Sequence, residues 1–480
     1  LKSAYSYSYS YSLNGIESGP MPTLKQIEDF LNAWADLMWS TPLVVLLVGG
    51  GMFFMVYSRF RPYRYFGHAI DLLRGKYSDP NDPGHIPHSQ ALATALSGTL
   101  GLGNIAGVAI AISMGGPGAV FWMWVTAIVG VSTKFYTASL AVMYRGKDAD
   151  GTVQGGPMYV ITEGMGKRWY PLAAVFALAC TIGALPLFQA NQFIQLLRDV
   201  VAIPAGIATA ENHFAFDLVS SSVVAILVWL VVAGRIERIG RITVKLVPSM
   251  VLLYLYMAGT VLYTFAADIP ATLLLIVTDA FTGEAVAGGS VGAVILIGVR
   301  RGAFSNEAGI GTESMAHGAA KTQEPIREGI VAMVGPVIDT LVVCTCTALI
   351  ILLTGVWQSA EGVEGVTMTA RAIQQVFPNT GIYLLLVMVG LLSFSTMVTM
   401  WFYGAKCTGF LLGSHRQHYY TPVYLALLLG GAVVSMDIVN GLILATYATM
   451  AIPTMISALY LSPKVNQAAK IYFAALRNKD

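Results

Sequence analysis

Charge is scarce in this chain. Asp, Glu, Lys and Arg together make up 11% of its 480 residues, against about 25% in an ordinary soluble domain. A soluble globular enzyme is excluded. The charge that is present is balanced: 28 Lys and Arg against 26 Asp and Glu give a formal net charge of +2, which argues against a nucleic-acid partner. Cysteine is equally thin. Cys180, Cys344, Cys346 and Cys407 all sit in apolar runs, so there is no disulfide framework and no zinc spacing. The seven histidines are scattered, with no pair at a metal-binding separation, and no cofactor chemistry is expected. Long polar stretches are missing as well. Outside the apolar runs no segment exceeds the 40-residue N-terminus, too short for a separate extramembrane domain.

Apolar residues make up 55% of the chain. They cluster into eleven runs long enough to cross a bilayer, at 41 to 58, 89 to 114, 118 to 144, 170 to 198, 219 to 234, 244 to 266, 269 to 302, 328 to 354, 381 to 412, 421 to 436 and 438 to 461. With the N-terminus outside, 23 of the 28 Lys and Arg fall in inside segments and only Lys2, Lys25, Arg198 and Arg371 fall outside. The positive-inside rule thus expects an outer N-terminus and a cytoplasmic C-terminus in a multi-pass plasma-membrane protein. The Tyr-Ser run Tyr5 to Ser12 lacks the features of a signal peptide and reads as a disordered tail. Leu24, Ile27, Leu31, Trp34 and Met38 recur at helical spacing, which suggests an interfacial helix within 1–40. Residues 41–88 then hold an extra N-terminal span and a cytoplasmic segment, and 462–480 a cytoplasmic tail.

Two runs are interrupted. The second contains Ser97-Gly98-Thr99-Leu100-Gly101-Leu102-Gly103-Asn104, and the seventh contains Phe281-Thr282-Gly283-Glu284-Ala285-Val286-Ala287-Gly288-Gly289. A helix should unwind at both, and unwound backbone at membrane depth requires a protein-lined or ligand-lined setting. Both runs open a set of five spans, 89–266 and 269–461. Five is odd, so the two sets are antiparallel, an inverted repeat. Paired discontinuous helices in such repeats mark the midplane binding site of secondary transporters. Packing through small residues explains lone glycines but not Asn104 and Glu284, which expect a functional role. Glu284 would face a substrate ammonium or carry a proton. A competing reading takes Gly288-Gly289-Ser290-Val291-Gly292 as a nucleophile elbow and pairs Ser290 with His317 in an intramembrane serine protease. The dinucleotide-like Gly101-Leu102-Gly103-Asn104-Ile105-Ala106 lacks the preceding strand that would give it meaning.

Several further segments, Gly115-Gly116-Pro117-Gly118-Ala119-Val120-Phe121-Trp122-Met123-Trp124, Gly155-Gly156-Pro157-Met158-Tyr159, Phe304-Ser305-Asn306-Glu307-Ala308-Gly309 and Ala316-His317, together resemble the alanine or glycine:cation symporters, members of the LeuT-fold group. The resemblance covers about 41 to 415. It implies an all-α membrane protein with a LeuT-like five-plus-five inverted repeat and one additional N-terminal helix. It also implies sodium-coupled symport of a small neutral amino acid, with H⁺ as the alternative coupling ion. By the same resemblance, amides at Leu102 and Gly103, beside Thr99 and Gly101, receive the substrate carboxylate, and Gln189 and Asn191 supply polar groups to the pocket. Carbonyls around Ser97 and Leu100 with the hydroxyls of Ser395 and Thr396 would cage Na⁺, joined by Asn104. The chain departs from the family pattern at Thr137, Ala405, Ser314 and Glu284, and at Met400, where a Trp is expected but comes one place late as Trp401. Met400 is therefore expected to wall a roomier pocket.

Overall fold

A computed structural model describes residues 24–148, 151–209, 211–282, 291–359, 365–432, 434 and 436–478. Among these the fold is helical apart from a two-residue hairpin, Gly146–Lys147 with Val153–Gln154, and one isolated bridge. Seven helices are long and apolar enough to cross a membrane, or up to nine if each bent pair is one span.

The chain opens with α1 (Leu24–Met38) and α2 (Thr41–Tyr57), bent by 48° across the break at Trp39 and Ser40, with Pro42 in the first turn of α2. Then come α3 (His88–Thr99) and α4 (Leu102–Gly115), bent by 59°. The next four are α5 (Gly118–Met143), α6 (Lys167–Ala202), α7 (Phe214–Val232) and α8 (Arg235–Thr264). A shorter helix, α9 (Ile269–Thr282), precedes α10 (Val291–Asn306) and α11 (Thr312–His317). The last five are α12 (Pro325–Leu353), α13 (Val366–Val376), α14 (Gly381–Leu412), α15 (Tyr420–Gly431) and α16 (Met436–Arg477).

Sequence sets these boundaries by familiar chemistry. Pro117 precedes α5 and Pro325 opens α12, where a missing N–H costs nothing. The Glu324 side chain accepts from the Ile326 amide at 3.4 Å, capping α12. Gly413, at φ 94°, stops α14 in a conformation that side chains resist.

Helix α5 forms the centre. Its most apolar window is 89% buried, against 33% in α8 and 39% in α7. α5 packs on α10, α12, α9 and α2, while α7 and α8 expose Leu227, Trp229, Leu230 and Leu252 as lipid-facing helices would. α1 lies on α16, where the Trp39 indole donates to the Leu444 carbonyl at 2.8 Å and Leu31 and Ala35 are buried. The expected break at 281–289 falls largely outside the described residues. The break seen in the second half lies further on, between Asn306 and Thr312, where Glu307 (φ 54°), Gly309 (φ 90°) and Gly311 (φ 98°) turn the chain.

Candidate functional site

The first break is built by glycine and closed by Asn104. A Cβ on Gly101 would stand 3.0 Å from Thr396 Oγ1, and one on Gly103 would stand 3.3 Å from the Phe304 ring, so helices of the second half approach the backbone more closely than side chains allow. The freed backbone groups find partners. The Gly101 amide donates to Asn104 Oδ1 at 2.9 Å, the Thr347 hydroxyl donates to the Asn104 carbonyl at 2.7 Å, and Thr369 reaches the Ile105 carbonyl at 3.4 Å.

The Asn104 amide then crosses to the other half. Its Nδ2 donates to Ser305 Oγ at 3.0 Å and to the Asp339 carbonyl at 3.4 Å. Ser305 and Thr340 donate to Asp339 Oδ1 at 2.7 and 2.9 Å. Asp339 Oδ2 is buried without a hydrogen-bond partner among the described residues. Ser305, Thr340 and Asp339 thus gather hard oxygens and one carboxylate at the junction of the two halves, a donor set suited to a hard cation, while Asn104 turns its NH2 group toward them and its Oδ1 toward Gly101.

The expected sodium cage divides. Thr396 donates to the Ser97 carbonyl at 3.0 Å and Ser97 Oγ donates to the Ser395 carbonyl at 2.8 Å, so α3 and α14 do meet here. The Ser395 hydroxyl instead donates back to Leu392 at 3.0 Å, the local bond that hydroxyls favour inside helices. Thr399, one turn along, joins in its place through Ser97 Oγ at 3.0 Å. Leu100 lines a small apolar void with Asn104, Met250, Tyr254 and Met388, and the Asn104 amide is bonded to the Asp339 group. Gly101 lies between the two groups, hydrogen-bonded to Asn104 and against Thr396.

The second break carries an acid that sequence patterning passed over. Glu307 is 2% exposed; it accepts from Tyr447 at 3.1 Å and from the Thr312 hydroxyl. Tyr447 in turn lies 3.9 Å from Met400 Sδ, and its ring packs on Phe304, which meets Phe188. Gly103, Phe304, Phe188, Met400, Tyr447 and Glu307 therefore line one region between the breaks. Met400 is buried and turned inward, whereas the Trp401 indole donates to Thr421 at 3.2 Å, away from this region. One residue of helix is about 100° of rotation, which accounts for the difference.

Other expected members stand elsewhere. Phe281 is 57% exposed and packs its ring on Phe121 and Trp122, and Thr282 beside it is also exposed, because α9 is seated on the start of α5. Gly283, Glu284 and Ser290 lie outside the described residues. Asn191 donates to the Gly431 and Val434 carbonyls at 3.1 and 2.8 Å and so ties α6 to the end of α15. Gln189, next to Phe188, keeps a buried Oε1 without a hydrogen-bond partner among the described residues. Thr99 is buried at the end of α3, its hydroxyl 3.4 Å from the Leu96 carbonyl. His317 is held by Glu328, with Nδ1 2.7 Å from Oε1. It thereby fastens α11 to α12, and nothing supports the protease reading.

One end of the bundle is rich in Arg and Lys. There the start of α3 is strapped to the segment after α11: the His85 amide donates to the Ala319 carbonyl at 2.8 Å and the Lys321 amide to the Ile86 carbonyl at 2.7 Å. Arg145 clamps that strap through the carbonyls of Gly318 (2.9 Å), Thr322 (2.8 Å), Pro83 (3.1 Å) and Ala320. Burial pushes its pKa down to about 10, opposed by Glu328 and Asp82, so it stays cationic near neutrality. A cavity of about 480 Å³ at this end is lined by His85, Arg235, Glu237, Trp401 and Lys406 among others.

The model of the sodium:alanine symporter family matches residues 24–480. The chain belongs to that family. It is 34% identical to the sodium/alanine symporter AgcS of Methanococcus maripaludis, over 94% of this chain and 98% of that one. It is 32% identical to the probable sodium/glutamine symporter GlnT of Bacillus subtilis, over 93% and 91%. In fold it is similar to MhsT, solved with L-phenylalanine, at a TM-score of 0.58 and 14% identity, covering 79% of this chain and 90% of that one. The symporter is thus a multi-pass helical membrane transporter of LeuT-like fold, and family membership makes its work sodium-coupled amino-acid symport.

Proposed function

We propose that this symporter carries a small neutral amino acid, alanine or glycine first, into the cytoplasm with Na⁺ across the plasma membrane. The N-terminus lies outside and the basic end faces the cytoplasm. Counting α1 with α2, α3 with α4 and α10 with α11 as single spans gives eleven: one extra helix and two sets of five, with α9 and α13 between spans.

The observation that carries the reading is the meeting of the two breaks, bound together by Asn104, Ser305 and Asp339. The amides of Leu102 and Gly103 open α4, where the positive end of a helix favours a carboxylate. Glu307 offers the opposite charge to the substrate ammonium, at the region walled by Phe304, Phe188 and Met400. Na⁺ is held by Asp339 with Ser305 and Thr340, Asn104 tying that group to Gly101, and a second cation by Ser97 and Thr396 with Thr399. Binding Na⁺ beside Gly101 braces the turn that presents the carboxylate-binding amides, so cation and amino acid strengthen each other, as linkage requires. The cavity on α14 then serves as the release path once the strap at Ala319 opens.

Because Met400 stands where a Trp is expected, a larger neutral substrate such as glutamine, the amino acid in the name of one relative, also fits the reading. Uptake of labelled alanine, glycine, serine and glutamine into proteoliposomes, with and without an inward Na⁺ gradient, tests it. Concentrative uptake of at least one of them only with the gradient is expected. Uptake that ignores Na⁺ overturns it.

A further inference from the structure

Helix α8 carries unpaired charge on one side of its first turns. Arg238, Arg241 and Lys245 follow one another at helical spacing and so share a face, and with Ile242, Leu246 and Ser249 they line an open groove of about 640 Å³. All three cations are exposed. The hydrogen bonds of the two arginines go to backbone carbonyls, from Arg238 Nη1 to Leu230 at 2.6 Å and from Arg241 Nε to Glu237 at 3.2 Å. Glu237 stands in the same turn, but its carboxylate reaches His85 at 3.6 Å and lines the 480 Å³ cavity instead. Among the described residues none of the three cations has a carboxylate partner, so the groove is strongly positive.

The same face continues as hydrocarbon. Beyond Ser249 come Leu252 and Tyr256, 67% and 62% exposed, on the side of α8 that a bilayer covers. Lys245 to Tyr256 spans about 16 Å of helix, close to half of the ~30 Å hydrocarbon core and so to the depth of one leaflet. A free phosphate or a soluble polyanion would answer the cations and leave this stripe bare. A phospholipid answers both, because its acyl chains run on from its phosphodiester. Basic pockets at the ends of membrane helices suit anionic headgroups. The opposite face of these turns is held by α3: a Cβ on Gly240 would stand 2.8 Å from Gln90 Oε1, and the Thr243 and Thr94 hydroxyls meet at 3.2 Å. The cations are therefore presented from a fixed element.

We propose that this groove binds the headgroup of one anionic phospholipid from the leaflet at the basic end, with the acyl chains lying along Leu252 and Tyr256. Arg241 and Lys245 hold the phosphodiester oxygens, and Arg238 adds its charge from the turn before. A zwitterionic phospholipid is disfavoured, because its own ammonium meets a groove that is already cationic. The site stands whichever amino acid and whichever cation the protein carries.

Native mass spectrometry of the purified full-length protein tests this, with phosphatidylglycerol, phosphatidylcholine of the same chains, or soluble glycerol phosphate titrated into the detergent solution. One phosphatidylglycerol per chain should be retained at concentrations where the other two are not. Each cation beside an anionic headgroup contributes about a fivefold factor, so Arg241→Gln combined with Lys245→Gln should weaken phosphatidylglycerol binding about 30-fold. Both side chains are exposed, so the pair should leave the fold intact, and Arg241→Lys with Lys245→Arg should bind within a few-fold of wild type. Lys464→Gln with Lys470→Gln removes two exposed cations of α16 that do not line the groove and should leave binding unchanged. Wild-type affinity in the groove pair, or equal loss in both Gln pairs, overturns the site. Phosphatidylcholine bound as tightly as phosphatidylglycerol overturns the charge recognition, and glycerol phosphate bound as tightly overturns the lipid in favour of a free anion.

Discussion

Replacing Asp339 with Asn removes one charge from the junction of the two halves while leaving its shape almost unchanged. The retained Oδ1 can still accept from Ser305 and Thr340, which reach it at 2.7 and 2.9 Å, so the local hydrogen bonds are weakened and not broken. What is lost is the attraction between a carboxylate and a cation. At about 4 Å and an effective dielectric of about 20 this is about 4 kcal/mol, before the cost of desolvating the carboxylate, which the variant no longer bears, is subtracted. A residue of about 1.5 to 3 kcal/mol corresponds to about a 10- to 100-fold rise in the Na⁺ concentration for half-maximal uptake. The assay is initial-rate alanine uptake against Na⁺, paired with Na⁺-dependent thermal stabilisation of the purified protein, which needs no transport. If the folded variant shows the wild-type Na⁺ dependence in both, Asp339 holds no cation and the reasoning fails.

Thr396→Ala removes the hydroxyl that meets the Ser97 carbonyl at 3.0 Å and should raise the Na⁺ requirement more than the alanine requirement; equal shifts in both would contradict a cation role. Met400→Trp should restore discrimination against side chains larger than that of alanine, by about 1 to 3 kcal/mol per methylene. Competition of labelled alanine by serine, valine, leucine and glutamine measures it, and identical profiles in parent and variant refute the inward reading of Met400. Asn191→Ala should lower stability by about 1 to 3 kcal/mol, two hydrogen bonds to backbone carbonyls being lost, with unchanged Na⁺ dependence. A large shift in that dependence would return Asn191 to the site.

Spans with uninterrupted apolar runs were legible: 381 to 412 corresponds to Gly381–Leu412 and 118 to 144 to Gly118–Met143. The first break was legible too, because three glycines and an Asn crowd Gly98 to Asn104. The expected second break at 281–289 lies largely outside the described residues, and the one between Asn306 and Thr312 was not anticipated, for a physical reason. Arg300, Arg301 and Glu313 look like the polar end of a span, so Asn306 to Gly311 fell beyond it, yet Arg301 is only 7% exposed and Glu313 is fully buried. Gly309 and Gly311 repeat the Gly-X-Gly spacing of Gly101 and Gly103 and were the available signal. Asp339, Tyr447 and Thr399 acquire their roles only through distant partners, such as the contact between Tyr447 and Glu307 across 140 residues, which no local pattern encodes. Ser395 and Asn191 show the converse, since their types suit a site but their hydroxyl and amide are taken by nearby backbone.

Binding of labelled alanine to the purified symporter at equilibrium, as a function of Na⁺ concentration, bears most directly on the claim that cation and amino acid meet where the two breaks join. The account predicts saturable binding whose affinity climbs with Na⁺ and is not supported by K⁺, with Asp339→Asn displacing the curve to higher Na⁺. Alanine affinity that stays constant from zero to saturating Na⁺ would contradict it.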